Sequence, residues 1–265
     1  MRLTAAVSLL ALLFAAAVAI GLSSWSYAAQ DRDAVSATAS VHHALGTDDL
    51  GRDRAVRLAA AMLLGMAGSV AASAAASALA VGLGSAAAFA PAWVGRALLY
   101  GGDLFLTLPW LFLLMMVRAA LPLNLPPARS AGLTFLLLAV IGAPVFIRVH
   151  YARTVAVRGA EWLLHARAAG HRRLQLARQF LPHLRPLILT QFLLYIPACL
   201  IAEANLGTLG LGVSEPIPSW GSMLQSLQNA VFLSNSRLVY VPIAALVLVL
   251  ILLEFLLFDP KEANR

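Results

Sequence analysis

Six long apolar segments decide what this chain of 265 residues can fold into. A helix that crosses a membrane needs about 20 mostly apolar residues, because each residue adds only about 1.5 Å to a path of roughly 30 Å. The segments that satisfy this requirement are approximately 3–22, 58–89, 97–117, 132–149, 187–204 and 238–258. Since 61% of the residues are hydrophobic and only 12% are charged, the sequence predicts an all-α membrane protein with about six transmembrane helices.

The arginines predict which way these helices cross the membrane. Segment 148–185 contains eight arginines and one acid, Glu161, and basic residues of short loops stay on the cytoplasmic side. We therefore expect both termini in the cytoplasm and segments 23–57, 118–131 and 205–237 on the opposite side. The net charge of +7 does not indicate a nucleic-acid partner, because the charges lie between apolar spans rather than on one soluble surface. The expected surroundings are a lipid bilayer.

The spans also predict how the chain is divided. The predicted regions are a transmembrane signal-anchor helix at 1–28, an extracytoplasmic segment at 29–57, a core transmembrane domain at 58–258 with a cytoplasmic hairpin at 151–185, and a cytoplasmic tail at 259–265. Arg2, the apolar run and Ser26-Tyr27-Ala28 also resemble a cleavable secretory signal. Because an apolar run of about 20 residues exceeds the usual length of roughly 7 to 15, retention as an anchor is the preferred interpretation.

No motif indicates catalysis. The phosphate-binding pattern Gly-x-x-x-x-Gly-Lys-Ser/Thr is absent, and the single lysine is Lys261. If ATP drives this protein, another polypeptide must therefore hydrolyse it. The single cysteine, Cys199, excludes an intramolecular disulfide and a cysteine-based metal cluster. We expect no enzyme activity, no metal site and no bound cofactor on this chain.

The predicted cytoplasmic hairpin contains two short helical patterns. Trp162 and Ala166 share one helix face, and Gly170 can adopt the left-handed conformation that ends the first helix. A second pattern follows, which we expect Pro182 and Pro186 to stop. A hairpin of this length is marginal in water, so its apolar stripe requires a cover. That cover is the membrane bundle, a protein partner or the surface of an anionic membrane.

This hairpin resembles the EAA loop of bacterial ABC-importer permeases, which runs through Glu-Ala-Ala, a later Gly and a Leu-Pro pair. Leu164 and His165 replace the motif's Glu and first Ala. In that family the loop forms a coupling helix that sits in a cleft of an ATPase subunit. The resemblance implies an ATPase-coupling interface formed by Glu161, Trp162, Leu163, Leu164, His165, Ala166, Arg167, Ala168, Gly170 and Pro182.

Two further motifs are similar to the dipeptide, oligopeptide and nickel branch of these permeases. Residues 43–53 read His-Ala-Leu-Gly-Thr-Asp-Asp-Leu-Gly-Arg-Asp, and only Ala44 replaces the proline of that branch. Residues 209–221 resemble its Leu-Gly-Leu-Gly and Pro-Ser-Trp-Gly segment, and Asp103 matches its third-span pattern. The similarity covers roughly residues 40–258. The residues assigned to the extracytoplasmic motif are Gly46, Thr47, Asp48, Asp49, Gly51, Arg52 and Asp53.

The resemblance implies a fold and an assembly. The fold would be the helical bundle of a type I ABC-importer permease in a bacterial inner membrane. The chain would be one transmembrane subunit of an importer for peptides, nickel or a similar small solute. Its partners would be a homologous second permease subunit, two ABC ATPase subunits that hold ATP and Mg, and an extracytoplasmic solute-binding protein. Closure of the ATPases would drive alternating access.

Residues 43–53 also allow a metal-site hypothesis, because hard cations bind clustered oxygen atoms. The spacing does not follow the alternating acids of a calcium loop. We instead expect a structural turn in which Thr47 or Asp48 caps a short helix and Arg52 pairs with an acid. The neighbouring His42 and His43 are either nickel ligands or, in the preferred interpretation, solvated side chains.

Asp103 and Glu203 lie at membrane depth within predicted spans, where ionisable groups are costly and often functional. Glu254 also falls within a predicted span but is near its inner boundary, where it can reach water. Asp103 and Glu203 support an alternative function, an ion-coupled secondary transporter that uses both acids as relays. The family resemblance instead makes them structural partners of hydroxyls, backbone groups or the second permease. A membrane scaffold without transport activity is a third possibility.

Small residues predict close packing at two places. The second span carries them at every fourth position, which aligns them on one face unless the spacing arises by chance in an alanine-rich helix. These residues are Gly68, Ala72, Ala76, Ala80 and Gly84. Gly207, Gly210 and Gly212 predict a bent, tightly packed segment rather than a nucleotide-binding loop, with Trp220 anchored at the membrane interface.

Overall fold

The computed structural model describes residues 2–122, 125–170, 173–230 and 237–257. These residues contain helices and one isolated β-bridge, between Thr47 and Asp53, but no named β-strand. The helices are α1 (Arg2–Leu22), α2 (Arg54–Phe89), α3 (Ala92–Thr107), α4 (Trp110–Ala120), α5 (Pro127–Arg158), α6 (Glu161–Ala168), α7 (Arg173–Thr208), α8 (Trp220–Ala230), a 3₁₀ turn (Arg237–Tyr240) and α9 (Val241–Leu257). The predicted cytoplasmic tail, 259–265, lies outside the described residues.

Most of the predicted spans correspond to one long helix each. Helices long and apolar enough to cross a membrane are found at Leu3–Leu22, Arg54–Phe89, Pro127–Arg158, Gln179–Thr208 and Leu238–Leu257. α3 and α4 satisfy the same test only as a pair, which brings the number to six if that pair forms one span. The predicted all-α membrane architecture is confirmed in the part of the chain that the structure describes.

The third predicted span, 97–117, is not one continuous helix. α3 and α4 are bent by 89° at a short break. Leu108, the residue between α3 and Pro109, is extended with φ −92° and ψ 141°. The proline explains the break, because its ring disfavours a helical conformation of the preceding residue and it lacks a backbone N–H.

Pro182 and Pro186 do not end a short helix, so that prediction is wrong. α7 has 36 residues and continues through both prolines. An internal proline removes a hydrogen bond and costs about 3 kcal/mol, but burial of neighbouring side chains can offset this cost. Phe180 and Leu184 lie on either side of Pro182 and are 3% and 0% exposed. The second arm of the hairpin is therefore the first part of a long helix.

The described chain forms two compact units. Unit 1 contains Met1–Ser69, Val117–Phe135 and Ile196–Arg265. Within it, α1 packs against α9, and α8 also contacts α9. This packing supports the interpretation of α1 as a retained helix, which stays a prediction.

Unit 2 contains Val70–Met116 and Leu136–Tyr195, and small residues of α2 form part of its core. Ala76 and Ala80 are fully buried, and Ala80 packs against Ala143 and Ile147 of α5. A Cβ atom added to Gly84 would lie 2.8 Å from the carbonyl oxygen of Ile147. The small residues therefore form a packing face, as the first interpretation of their spacing predicted.

Candidate functional site

The predicted coupling hairpin begins with the short helix α6. The amide of Ala169 donates to the carbonyl oxygen of His165 at 2.9 Å, and Gly170 follows with φ +79°. The left-handed cap predicted at Gly170 is therefore confirmed. Glu161 and His165 are exposed, whereas Ala166 is buried at 9% exposure. The side chains of four other predicted interface residues lie outside the described part, namely Trp162, Leu163, Leu164 and Arg167.

The base of this hairpin is a small apolar cluster in unit 2. Val157 at the end of α5 packs with Phe180 and Leu184 of α7. The ring of Phe180 also meets Phe89, the last residue of α2, edge to face with 5.7 Å between centroids. Arg158 donates to the carbonyl oxygen of Ala88. α6 is thus connected to a cluster that joins the ends of α2 and α5 to the first turns of α7.

The second region is the Asp48 loop, residues 43–53. The carboxylate of Asp48 accepts hydrogen bonds from the amides of Leu50 at 3.0 Å and Arg52 at 2.9 Å. Gly46 and Gly51 have φ of +71° and +73°, and a Cβ at Gly51 would lie 2.0 Å from the carbonyl oxygen of Asp31. These two positions therefore require glycine, both for the left-handed conformation and for space.

The first turn of α2 is capped by Asp53. Asp48 instead closes the predicted structural turn, but residues 43–53 form no short helix, so that part of the prediction is wrong. Asp53 Oδ1 accepts from the amide of Val56 at 2.9 Å, and α2 begins at the next residue, Arg54. Thr47 Oγ1 instead accepts from the amide of Ala37 at 2.8 Å. Thr47 thus fastens the loop to the preceding segment.

His43 is buried, which contradicts the preferred interpretation of a solvated side chain. It is 3% exposed, and its Nδ1 lies 2.8 Å from Asp53 Oδ2. Its ring centroid is 5.0 Å from that of Trp25. His42 is exposed, and the described ranges contain no group of three or more His, Cys, Asp or Glu residues that could hold a metal ion. The structure therefore gives the nickel-ligand alternative no support.

Four charged residues join the Asp48 loop to the segment before α8, and we call them the arginine clamp: Asp48, Arg52, Arg57 and Glu215. Arg52 Nε donates to Asp48 Oδ2 at 2.7 Å, and its Nη1 donates to Glu215 Oε2 at 2.6 Å. Arg57 Nη2 donates to Glu215 Oε1 at 2.8 Å. The predicted pairing of Arg52 with an acid is confirmed. The two positive and two negative charges balance, and the carboxylate partners offset the free-energy cost of burying both arginines.

Arg57 and Glu215 were not predicted as members of this network. Glu215 lies 158 residues from Arg57 along the chain, so no local pattern connects the two residues. Arg118 was also missed, although an arginine in an apolar segment was a visible signal. It is 1% exposed and donates to Ser130 Oγ at 3.1 Å, which also accepts from the hydroxyl of Ser214 at 2.9 Å.

The glycines that follow α7 are tightly packed, as predicted. A Cβ added to Gly207 would lie 2.4 Å from the Cα of Gly221, and one added to Gly212 would lie 2.7 Å from the Cα of Gly207. Trp220 is 1% exposed, and its indole ring leaves no space for a Cβ at Gly65. The predicted anchoring of Trp220 at the membrane interface is therefore wrong, because a ring buried inside unit 1 does not contact lipid headgroups.

The two predicted intramembrane acids have different environments. Glu203 is fully buried, and its Oε1 accepts from the amide of Gly221 at 3.4 Å. Asp103 accepts a hydrogen bond from Arg148 of α5, and their side chains are 40% and 57% exposed. Their roles in transport stay predictions.

Comparison with known proteins decides the family. The family described as "Binding-protein-dependent transport system inner membrane component" matches residues 78–259, which is more than half of the chain. The chain belongs to this family. It is a permease subunit of an ABC importer of the peptide type, and it is an inner-membrane protein. The expected fold, an all-α ABC-importer permease, is confirmed.

Three relatives illustrate the similarity. The permease is 28% identical to the dipeptide transport system permease protein DppC of Alkalihalophilus pseudofirmus, over 79% of this chain and 68% of the relative. It is 30% identical to the di/tripeptide transport system permease protein DppC of Pseudomonas aeruginosa, over 70% of this chain and 59% of the relative. It is 25% identical to the glutathione transport system permease protein GsiD of Pectobacterium atrosepticum, over 83% of this chain and 71% of the relative. All three are named as permease proteins, which agrees with the expectation that this chain is not an enzyme.

Proposed function

We propose that this permease uses α6 to couple the closure of two separate ABC ATPase subunits to alternating access for a short peptide or a similar small solute. A homologous second permease subunit and an extracytoplasmic solute-binding protein complete the proposed assembly. ATP and Mg bind to the ATPase subunits, and this chain binds no cofactor. The observation that carries the proposal is a short helix whose described side chains Glu161, His165 and Ala168 are exposed. It follows α5, whose end belongs to a buried cluster with α7 that Phe89 of α2 contacts.

This arrangement supports mechanical coupling. A force on α6 reaches its neighbours through Val157, Phe180 and Phe89, whose side chains are in contact. Packed interiors deform little, so the cluster transmits a displacement rather than absorbing it. Rigid-body movement of the attached helices then opens one face of the transporter and closes the other.

The proposed solute class is drawn from the relatives. Those reported above are named for dipeptide, di/tripeptide and glutathione transport. A short peptide is therefore the first solute to test, and nickel is the second because the branch that the motifs resemble includes nickel importers. Selectivity is shared with the binding protein and the second permease.

The proposed orientation places both termini and α6 in the cytoplasm and the Asp48 loop outside. It rests on the eight arginines of segment 148–185. Accessibility of engineered cysteines tests it, in a background where the buried Cys199 is replaced by alanine. Ala168 in α6 and Leu50 in the Asp48 loop are both exposed, so Ala168→Cys and Leu50→Cys form a matched pair. In whole cells we expect a membrane-impermeant maleimide to label Leu50→Cys and not Ala168→Cys; the reverse result excludes this orientation.

Cross-linking tests the coupling itself. Ala168→Cys should form a cross-link to a cysteine in the ATPase cleft, with a yield that changes when ATP binds. Gly170→Pro should abolish peptide uptake, because φ of +79° is incompatible with the fixed negative φ of proline. Normal uptake by Gly170→Pro together with no cross-link would reject α6 as the coupling element.

One observation favours the alternative of an ion-coupled secondary transporter. Oε2 of the buried Glu203 has no hydrogen-bond partner within the described part of the chain. A carboxyl group in this environment is suited to carrying a proton. Uptake that stops with an uncoupler but continues without any ATPase subunit would select this alternative.

A further inference from the structure

An ion pair joins α3 to α5 within unit 2. Arg148 of α5 donates to Asp103 of α3, and both side chains are substantially exposed, at 57% and 40%. Arg148 precedes the end of α5 by ten residues, and Asp103 follows the start of α3 by eleven. At 1.5 Å per residue the pair is about 15 to 17 Å from these helix ends. Asp103 thus lies inside the predicted span 97–117, and the guanidinium of Arg148 reaches it from the end of the predicted span 132–149.

Charged side chains at this depth do not face lipid tails. They face other protein or a water-filled path, because hydrocarbon offers them no hydrogen bonds. The pair is exposed on this single chain, so its surroundings in the assembled transporter are a solvated pathway or another subunit. The arginine clamp differs in that three of its four side chains are buried and Glu215 is exposed, at 49%.

The pair also lines a pocket. Its volume is about 260 Å³, and the lining includes Gly101, Gly102, Phe105 and Pro144 together with the two charged residues. This volume is slightly below the roughly 300 to 1,000 Å³ found for small-molecule sites. A Cβ added to Gly101 would meet no atom within 4 Å, so this part of the wall leaves open space. The pocket thus combines one charge of each sign with apolar walls.

We propose that this pocket is a transient binding site for zwitterionic solutes during passage, in which Arg148 binds the carboxylate and Asp103 binds the ammonium group. The proposal rests on the proposed function and deepens it by assigning the recognition of both peptide termini to this chain. The guanidinium matches a carboxylate through paired hydrogen bonds. When no solute is bound, the charges of the two side chains neutralise each other.

The replacement of the internal ion pair by the solute explains why such a site binds weakly enough to release its solute. The solute replaces one ion pair with two, and the net charge of the pocket stays at zero in both states. Only the difference between these interactions contributes to affinity, because the internal pair must be broken first. Apolar walls without further charges accept different peptide side chains. A weak site that reads the termini is suited to a transporter of varied short peptides.

The experiment measures uptake by the complete transporter, reconstituted in liposomes with its ATPases and binding protein. The probes are glycyl-leucine, its N-acetyl derivative and its C-terminal amide. The variants are Asp103→Asn and Arg148→Gln, with Arg153→Gln as the matched control because Arg153 is exposed on α5 and does not line the pocket. Binding-protein-stimulated ATP hydrolysis reports assembly and coupling for every variant.

We expect Asp103→Asn to reduce the preference for glycyl-leucine over its N-acetyl form about tenfold and to leave the preference over the amide unchanged. Arg148→Gln should do the opposite. Discrimination by the binding protein is the same in every sample, so a changed preference originates in the permease. Arg153→Gln should behave like the wild type.

Two outcomes would overturn the inference. If each variant lowers uptake of all three probes by the same factor, the pair is structural or contacts the second permease. If the preferences do not change at all, the pocket does not read the termini. Failure of the proposed function is distinguishable, because in that case the wild-type transporter takes up none of the probes.

Discussion

The arginine clamp and α6 use charged and polar residues in opposite ways. In the clamp, Asp48, Arg52 and Arg57 are buried and bonded to one another or to Glu215. In α6, Glu161 and His165 are exposed. Buried and mutually satisfied groups stabilise a loop in one conformation, whereas exposed groups are available to another protein. The comparison indicates that the clamp maintains structure within this chain, and the exposed groups of α6 support its proposed role as an interface.

Two left-handed glycines offer the strongest test of this contrast. Gly51 and Gly170 have similar φ angles of +73° and +79°, but only Gly51 faces a nearby atom, the carbonyl oxygen of Asp31. Gly170→Ala should therefore cost about 1 to 2 kcal/mol of stability from backbone strain alone. Gly51→Ala should cost several kcal/mol, on the order of 3 or more, because the added Cβ also collides with backbone. Thermal unfolding of the two purified variants in detergent measures the difference; equal losses would contradict it.

Two carboxylates provide a second test. Glu215→Gln removes the acid shared by Arg52 and Arg57, and leaves two buried arginines with only Asp48 as a charged partner in the clamp. Because Glu215 is itself 49% exposed, the expected loss is about 1 to 3 kcal/mol rather than that of a fully buried pair. Glu161→Gln should change stability by less than about 0.5 kcal/mol, as expected for an exposed site. A lower unfolding temperature for Glu161→Gln than for Glu215→Gln would reverse the assignment of roles.

A third variant tests whether the apolar cluster at the base of the hairpin transmits force. Phe180→Leu keeps an apolar side chain at the base of the hairpin but removes the edge-to-face contact with Phe89. Stability should fall by about 1 kcal/mol, while the number of solute molecules transported per ATP hydrolysed should fall several-fold. Leu189→Ala is a suitable control, because Leu189 is exposed on the same helix at 48%. Unchanged coupling in Phe180→Leu would show that the base cluster does not transmit force.

The features that could be predicted from sequence are those governed by local chemistry. Long apolar runs identified the spans, Gly170 identified the end of α6, and Arg52 was correctly expected to pair with an acid. Pro109 indicates a helix break, but the apolar residues on both sides of it led to the prediction of one continuous span. Helix α7 was misjudged at Pro182 because the stabilising burial of Phe180 and Leu184 depends on distant residues.

The remaining errors concern contacts between distant parts of the chain. Nothing near Glu215 indicates that it meets two arginines more than 150 residues away. The burial of His43 depends on Trp25 and on Asp53, which is fixed by its position as the cap of α2. Trp220 was assigned to the membrane interface by its residue type, whereas the space beside Gly65 determines where its ring lies.

The close approach of Gly207, Gly212 and Gly221 has a consequence for movement. Only hydrogen atoms separate these backbones, so no side chain is available there to slide, rotate or make room. A larger side chain at any of these three glycines would push the end of α7 away from the start of α8. We therefore expect the two helix ends to move together during transport, with any hinge that lets α8 move located elsewhere.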